Sequence, residues 1–300
     1  MTPRARRRWR IAAVWFAALL GLGAIALAWG ERAGWPLLRG PLQSALTRAA
    51  GVDVALGGEF RASLLGQPRL KVGELVVGSG GDVAGAHLLR GREVALAWSW
   101  TDLWRWWRGD TLRLQSLRLG SIDALLTRLP DGRASWQLGS AGKRAAAAAD
   151  RGEPWKSLPS FGSLRVASGR IVVDDRVLDT ALLIDLRGGD ERAGAAGPDD
   201  GYAASVAGRY RALPLDLQVR TEGALPLLRD LSESAESPGL RLEVTGTAGA
   251  ATVSFDGRAA ALLGDRRLDG ELRLRGPSLA SAGQPLGLTL PATGPFDLQG

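Results

Sequence analysis

Several residue types are rare or missing in this 300-residue chain, and each absence excludes a kind of site. There is no cysteine, which excludes disulfide frameworks and thiolate metal sites. There is no asparagine, which excludes N-glycosylation. The only histidine, His87, excludes paired-histidine metal sites, and the residues around it do not form a nucleophile elbow. The sequence therefore predicts a protein that is not an enzyme and that holds no metal or cofactor.

The positive charge of the chain is concentrated at its beginning. The formal net charge is +7, and five arginines lie within residues 1–10, before the first acidic residue, Glu31. Without those five charges the rest of the chain carries only +2. The remaining arginines are spread singly, whereas a phosphate-binding surface needs them clustered. Nucleic acid is therefore not among the predicted partners.

Residues 11–30 (IAAVWFAALLGLGAIALAWG) carry no charge. Twenty helical residues span about 30 Å, which is the thickness of the hydrocarbon core. The pattern predicts a transmembrane anchor, with residues 1–10 as a basic cytoplasmic tail and residues 31–300 on the far side of the membrane. A cleaved signal peptide is the alternative, with Ala26-Leu27-Ala28 as its cleavage site, although the apolar run exceeds the ~7–15 residues of an ordinary signal sequence. Both interpretations place the body outside the cytoplasm.

From Pro36 the apolar residues recur at helical spacing up to Ala49, and Gly51 follows as a C-cap. This pattern predicts a short amphipathic helix. It either packs one face on its own domain or lies on the membrane surface, and the first interpretation is favoured.

Beyond Gly51 the hydrophobic period changes from about 3.6 to 2, which predicts a mainly β, antiparallel protein whose strands have one apolar and one polar face. The alternation slips at Gln115-Ser116, which indicates a bulge or a bend. Asp131-Gly132, Asp256-Gly257 and Asp269-Gly270 predict hairpin turns. Low-complexity loops are predicted near 139–154 and 188–201. The predicted strands are 70–77, 111–114, 117–119, 163–166, 170–174, 181–186, 203–206, 215–220, 240–245, 252–255, 271–274 and 286–290.

Tryptophan is the one abundant aromatic residue, with 11 in the chain. Trp100, Trp104 and Trp107 would share one face of a helix, and Trp29 and Trp35 flank the end of the predicted anchor. These five are candidates for a membrane-proximal aromatic surface, because indole rings favour the bilayer interface. Packing in the protein core is the alternative for each of them.

The order of short motifs resembles the AsmA family of Gram-negative envelope proteins. The resemblance rests on a helix–glycine–strand opening at 42–80, on 94–138 closing in Asp131-Gly132-Arg133-Ala134-Ser135-Trp136, on LRVASGRIVVDD at 164–175 and on GLTLPATGPF at 287–296. Ser135 stands where the family usually has asparagine. Family members are usually longer, so the chain is either a short member or the N-terminal portion of a longer one.

The resemblance implies an inner-membrane anchor and a periplasmic body: an elongated antiparallel sheet with an apolar concave groove. Phospholipid would move along this groove between the inner and outer membranes, supporting outer-membrane integrity. The candidates for the groove are the following apolar residues: Leu112, Leu114, Leu117, Leu119, Ile171 and Val173. For each of them, ordinary core packing is the alternative. A second hypothesis is a scaffold that assists outer-membrane protein assembly through exposed strand edges, with outer-membrane or periplasmic proteins as partners.

Overall fold

A computed structural model describes the body of the chain, and most of the predicted anchor lies outside it. The described residues are 28–81, 83, 85, 87–108, 113–138, 160–188, 201–222, 240–260, 267–283 and 289–300. Residues 1–27 lie outside these ranges, as do the loops predicted near 139–154 and, apart from its two end residues, 188–201. Within the described ranges, no helix is both long and apolar enough to cross a membrane.

Twelve strands form one sheet in which every strand lies beside its neighbours in sequence, so the mainly β prediction is confirmed. The strands are β1 Val54–Ser63, β2 Arg69–Val77, β3 Leu89–Ala97, β4 Arg113–Arg128, β5 Ser160–Asp175, β6 Thr180–Gly188, β7 Tyr202–Tyr210, β8 Leu213–Glu222, β9 Leu240–Ala248, β10 Ala251–Ala260, β11 Arg267–Gly276 and β12 Phe296–Gln299. The predicted strands lie within these bounds wherever they are described, except for 286–290, of which residues 289 and 290 are not in a strand.

The sheet departs from the predicted antiparallel pattern at one place. β4 and β5 pair in parallel, and all other neighbours pair antiparallel. The chain leaves β4 at Arg128 and enters β5 at Ser160, so residues 129–159 return it to the end of the sheet where β4 began. β5 also runs without interruption through Gly169, so the separately predicted strands 163–166 and 170–174 are one long strand.

In strands β2 to β5, the alternation of side chains between the two faces of the sheet shifts by one residue, at positions that lie side by side. In β4, for example, Leu119 and Ile122 pack in the same apolar cluster although three residues separate them. The matching position in β3 is Glu93, which has a left-handed backbone with φ of 53°. By contrast, the predicted bulge at Gln115-Ser116 leaves the β4–β5 register unshifted. Neighbouring strands slip at matching positions. The apolar residues before and after the slip therefore lie on the same face of the sheet.

The N-terminal segment covers the free edge of β1. A 3-10 turn, Pro36–Leu38, leads into helix α1, Arg39–Ala50, and the N–H of Gly51 donates to Thr47 O at 2.8 Å. The predicted helix and its glycine cap are therefore confirmed. Gln43 Oε1 accepts from Leu56 N at 3.4 Å, and Arg39 donates to Leu56 O. An uncovered edge strand can pair with other chains, so this contact protects the β1 edge of the sheet.

Two of the three predicted hairpin turns are wrong. Asp131-Gly132 does lie in a turn, where Gly132 N donates to Leu129 O at 2.9 Å. Asp256-Gly257 and Asp269-Gly270 instead lie inside β10 and β11, where the two glycines pair directly. A Cβ at Gly270 would lie 2.4 Å from Gly257 Cα and 3.0 Å from the ring of Phe255. The glycines are needed for close strand contact beneath an aromatic ring, and not for a turn.

Two further short helices complete the described fold. Helix α2, Trp100–Trp107, connects β3 to β4 and lies against β4, whereas α3, Leu279–Gly283, follows β11. Among the described elements, the helices with the main contacts to the sheet are those of the N-terminal segment, which contact β1, and α2, which contacts β4. The sheet therefore has no second sheet packed on it within the described ranges.

Candidate functional site: an apolar sheet face

The strand registers place apolar residues and glycine together on one face of the sheet in all twelve strands. Residues that pair directly across two antiparallel strands point to the same side. In the second half of the sheet, the face is formed by Val206, Leu217, Val244, Val253, Leu272 and Leu298 with their neighbours two residues along each strand. We call this surface the apolar face.

The opposite face carries the charges. Ion pairs link neighbouring strands at exposed positions, such as Arg170 with Asp185 at 2.8 Å and Arg275 with Asp297 at 2.9 Å. Exposed pairs of this kind contribute little to stability, because water and salt screen them. Charged and polar side chains predominate on this surface, which we call the polar face, although Leu125, Val172 and Leu183 pair with one another on it.

Burial of the apolar face is uneven from one end of the sheet to the other. At the β1 end, a buried cluster forms from the following residues: Leu56, Val72, Val94, Leu119, Val166 and Tyr202. Leu42 of α1 is among the partly buried residues that pack against this cluster. Toward β12 the face is only half-buried, and Leu272 is 39% exposed. The apolar face therefore begins as protein core and continues as an accessible apolar surface.

Four of the six predicted groove residues lie on the apolar face. Leu119 is buried in the cluster and Leu117 packs against it, while Ile171 and Val173 of β5 are half-buried. Leu114 pairs with Phe161 and lies three residues before Leu117, so strict alternation places it on the opposite face, and it is out of phase with the other candidates. Leu112 lies outside the described residues.

Sequence reasoning missed the half of the face that is most accessible. Ile184, Leu217, Val244, Phe255 and Leu272 all lie on it, in β6 to β11. The sequence did contain a signal, because Leu215, Leu217 and Val219 alternate with polar residues in β8, and the structure shows these three half-buried between exposed neighbours. Such alternation identifies a one-sided strand, but it does not say which strands another layer covers.

The predicted aromatic residues gather at one end of strands β1 to β4. Trp100 Nε1 donates to Leu64 O at 3.2 Å, in the loop between β1 and β2. Trp35 packs its ring against Gly30 and donates its Nε1 to Glu31 at 3.1 Å. Trp104 lies one helical turn after Trp100, and Trp29 adjoins Gly30. Trp107 ends α2, and its side chain lies outside the described atoms.

Hydrogen bonds to Glu31 connect the N-terminal segment to the end of the strands where these aromatic residues lie. Its carboxylate accepts hydrogen bonds from the Ser63 hydroxyl and from the backbone N–H groups of Leu64 and Leu65, at 3.0 and 3.2 Å. The hydrogen bond from Ser63, followed by those from Leu64 and Trp35, lowers the pKa of Glu31 to about 2. The carboxylate is therefore ionised, and bound, throughout the physiological range.

His87 is buried beside β4, and its Nε2 lies 3.8 Å from Asp123 Oδ2. Neither ring nitrogen has a hydrogen-bond partner. The described residues contain no group of three or more metal-ligating side chains. These observations leave the absence of enzymatic activity as a prediction.

Comparison with known proteins identifies no relative. No protein-family model, no curated protein and no solved structure matches the chain. The resemblance to the AsmA family therefore stays a prediction from the motifs.

Proposed function

We propose that this chain is an AsmA-like protein of the inner membrane, whose periplasmic body conducts phospholipid toward the outer membrane along its apolar face. The observation that supports this best is the accessible half of that face. From β8 to β12 it carries leucine, valine and phenylalanine that, apart from Leu213, are half-buried or exposed, as Leu272 and Leu298 illustrate. An extended, one-sided apolar surface is expected to bind an apolar partner.

The energetics of lipid movement fit this surface. Exposing an acyl chain of ~16 carbons to water costs on the order of 12 kcal/mol, at ~0.8 kcal/mol per CH₂. Twelve strands about 4.8 Å apart make a sheet roughly 50 Å across, which exceeds the length of one acyl chain. A lipid could thus shift along the face from strand to strand without leaving apolar contact. Curvature of the sheet into a concave groove is part of the proposal.

The N-terminal sequence supports the location. The uncharged residues 11–30 follow five arginines, which favours an uncleaved anchor with the N-terminus in the cytoplasm. Glu31, the first residue after the run, accepts hydrogen bonds from the backbone N–H groups of Leu64 and Leu65, in the loop that follows β1. An anchor at 11–30 would hold the β1 end of the apolar face beside the bilayer, where lipid enters.

A pair of leucines on opposite faces tests lipid conduction. Leu272 on the apolar face and Leu183 on the polar face are nearly equally exposed, at 39% and 38%. The full chain, in donor vesicles containing a fluorescent phospholipid, should lose lipid transfer to acceptor vesicles in the Leu272→Asp variant. The Leu183→Asp variant should transfer lipid like the parent. Circular dichroism would verify that both variants keep the sheet, and equal transfer by both would contradict the proposal.

One observation favours a second function, that of a scaffold for outer-membrane protein assembly. β12, Phe296–Gln299, pairs only with β11 among the described strands, so its outer edge is open for strand addition. The β1 edge, in contrast, is covered by α1. A photo-reactive residue at Asp297 should then form adducts with protein and not with lipid. The absence of protein adducts would remove this alternative.

A further inference from the structure

We infer that the end of the sheet near the N-terminal segment docks directly on the surface of an anionic bilayer. The docking surface consists of four exposed apolar side chains, which we call the aromatic rim: Trp29, Leu65, Trp100 and Trp104. Their exposed fractions are 67%, 55%, 48% and 52%. The inference relies on the proposed anchor at 11–30, but it does not depend on lipid conduction.

Hydrogen bonds hold the aromatic rim together as one surface. Leu64 contributes both of its backbone groups: its carbonyl accepts from Trp100 Nε1 at 3.2 Å, and its N–H donates to Glu31 at 3.0 Å. Glu31 lies two residues after Trp29, and Leu64 adjoins Leu65. Segments that are far apart in the chain are therefore fixed beside each other, with their apolar side chains outward.

The chemistry of the aromatic rim fits a bilayer interface. Indole combines a large apolar ring with one N–H donor, and such rings concentrate at the headgroup level of membranes. The uncharged run 11–30 contains Trp29 of the rim as its penultimate residue, so a membrane that contains this run must lie against the rim. A protein partner would not be constrained to this position by the chain.

Charges beside the aromatic rim favour anionic headgroups. Arg105 and Arg108 are exposed on α2 and just after it, and the Arg108 guanidinium lies 5.1 Å from the centre of the Trp104 ring. The acidic residue of this helix, Asp102, is bonded through its carboxylate to Ser99 at the start of the helix. Arginine near a membrane surface is attracted by anionic lipid.

The absence of cysteine makes a depth measurement straightforward. Single variants Leu65→Cys and Trp104→Cys of the full chain would carry a nitroxide label in vesicles of phosphatidylethanolamine and phosphatidylglycerol. Val177→Cys is the matched control, because Val177 is 46% exposed at the opposite end of the strands. Labels on the aromatic rim should collide several-fold more with oxygen, and less with a water-soluble nickel reagent, than the control. Rim labels as accessible to nickel as the control would overturn the inference.

Two further measurements distinguish whether lipid or a protein partner shields the rim labels from the nickel reagent. Rim labels that are exposed in purified vesicles but protected in native membranes would indicate a protein partner and would contradict bilayer docking. Charge reversal at both Arg105 and Arg108 should reduce protection in anionic vesicles and leave it unchanged in pure phosphatidylcholine. An equal effect in both lipids would overturn the role of anionic headgroups.

The lipid-transfer and label-depth measurements test conduction and docking separately. If the Leu272→Asp variant transfers lipid normally while the rim labels are immersed, lipid conduction fails and docking stands. If that variant loses transfer while the rim labels stay in water, conduction stands and docking fails. Circular dichroism of each labelled variant confirms that the comparison concerns folded protein.

Discussion

Replacing Tyr202 with phenylalanine removes one hydroxyl and leaves the aromatic ring in the buried cluster. That hydroxyl donates to Leu164 O at 3.1 Å and accepts from Val166 N at 3.3 Å. Both groups belong to β5, and the described register of β6 reaches β5 only from Ser168 onward. Tyr202 therefore satisfies two backbone groups of β5 at positions that pair with β4 but that the described pairing with β6 does not reach.

The expected loss of stability follows from the two groups left without a partner. Because Val166 and Tyr202 are buried, water does not readily replace the missing hydroxyl. Leaving a buried donor or acceptor unsatisfied costs about 1–3 kcal/mol. We therefore expect the Tyr202→Phe variant to lose about 1–3 kcal/mol of unfolding free energy, with the packing of the ring unchanged. Tyr210→Phe is the matched control, since Tyr210 ends the same strand, is less buried and keeps its ring beside Arg211. It should change stability by no more than about 0.5 kcal/mol.

Urea unfolding of the full chain in nanodiscs, followed by far-ultraviolet circular dichroism, measures both variants. Equal midpoints for Tyr202→Phe and Tyr210→Phe would refute the reasoning. A second readout uses the fact that the chain has only two tyrosines. Burial raises the pKa of Tyr202, so in the Tyr210→Phe background the remaining tyrosinate absorbance should appear above the ordinary pH range. Since the folded pKa is raised, the stability that Tyr202 contributes is complete below its unfolded pKa of about 10 and is lost as the pH rises through the folded pKa.

Three further predictions concern other parts of the sheet. Leu119→Ala, in the buried cluster, should lower the unfolding free energy by about 2–5 kcal/mol, whereas Leu272→Ala on the accessible face should cost less than about 2 kcal/mol; equal urea midpoints would contradict the difference in burial. Glu31→Gln should abolish a pH dependence of stability, because the folded pKa of about 2 makes the contribution of Glu31 complete above its ordinary pKa of 4.5 and lost as the pH falls toward 2. An unchanged acid-unfolding profile would speak against the carboxylate contacts. Gly270→Ala should cost about 1–3 kcal/mol in thermal unfolding through overpacking, and Gly294→Ala, with no atom within 4 Å of the added Cβ, should be neutral; similar values for the two would show that close strand contact is not the reason for Gly270.

Local patterns in the sequence predicted the strands but not their partners. The alternation in 215–220 and 252–255 identified β8 and β10, because a sheet that is polar on one side leaves a period of two. The parallel pairing of β4 with β5 depends on where residues 129–159 return the chain, and no local pattern records that. The slip at Leu119 and Ile122 likewise belongs to neighbouring strands together and breaks the alternation that sequence reasoning relies on.

The misassigned turns show the same limit at the level of single residues. Asp256-Gly257 has the composition of a hairpin turn, and sequence alone does not distinguish a glycine that turns from one that lets two strands approach. The latter is found here, with Gly257 opposite Gly270 beneath Phe255. For the candidate site, Leu117, Leu119, Ile171 and Val173 were identified from alternation, whereas Leu114 falls out of phase.

Photo-crosslinking in native membranes tests the central proposal most directly. Benzoylphenylalanine would be placed at Leu272 on the apolar face and, in a second variant of the full chain, at Leu183 on the polar face. The two sites are matched in exposure, so they differ in the face they report. We expect a phospholipid adduct, detected by mass spectrometry, at Leu272 and none at Leu183. Equal adducts at both sites, or no lipid adduct at Leu272, would contradict conduction along the apolar face.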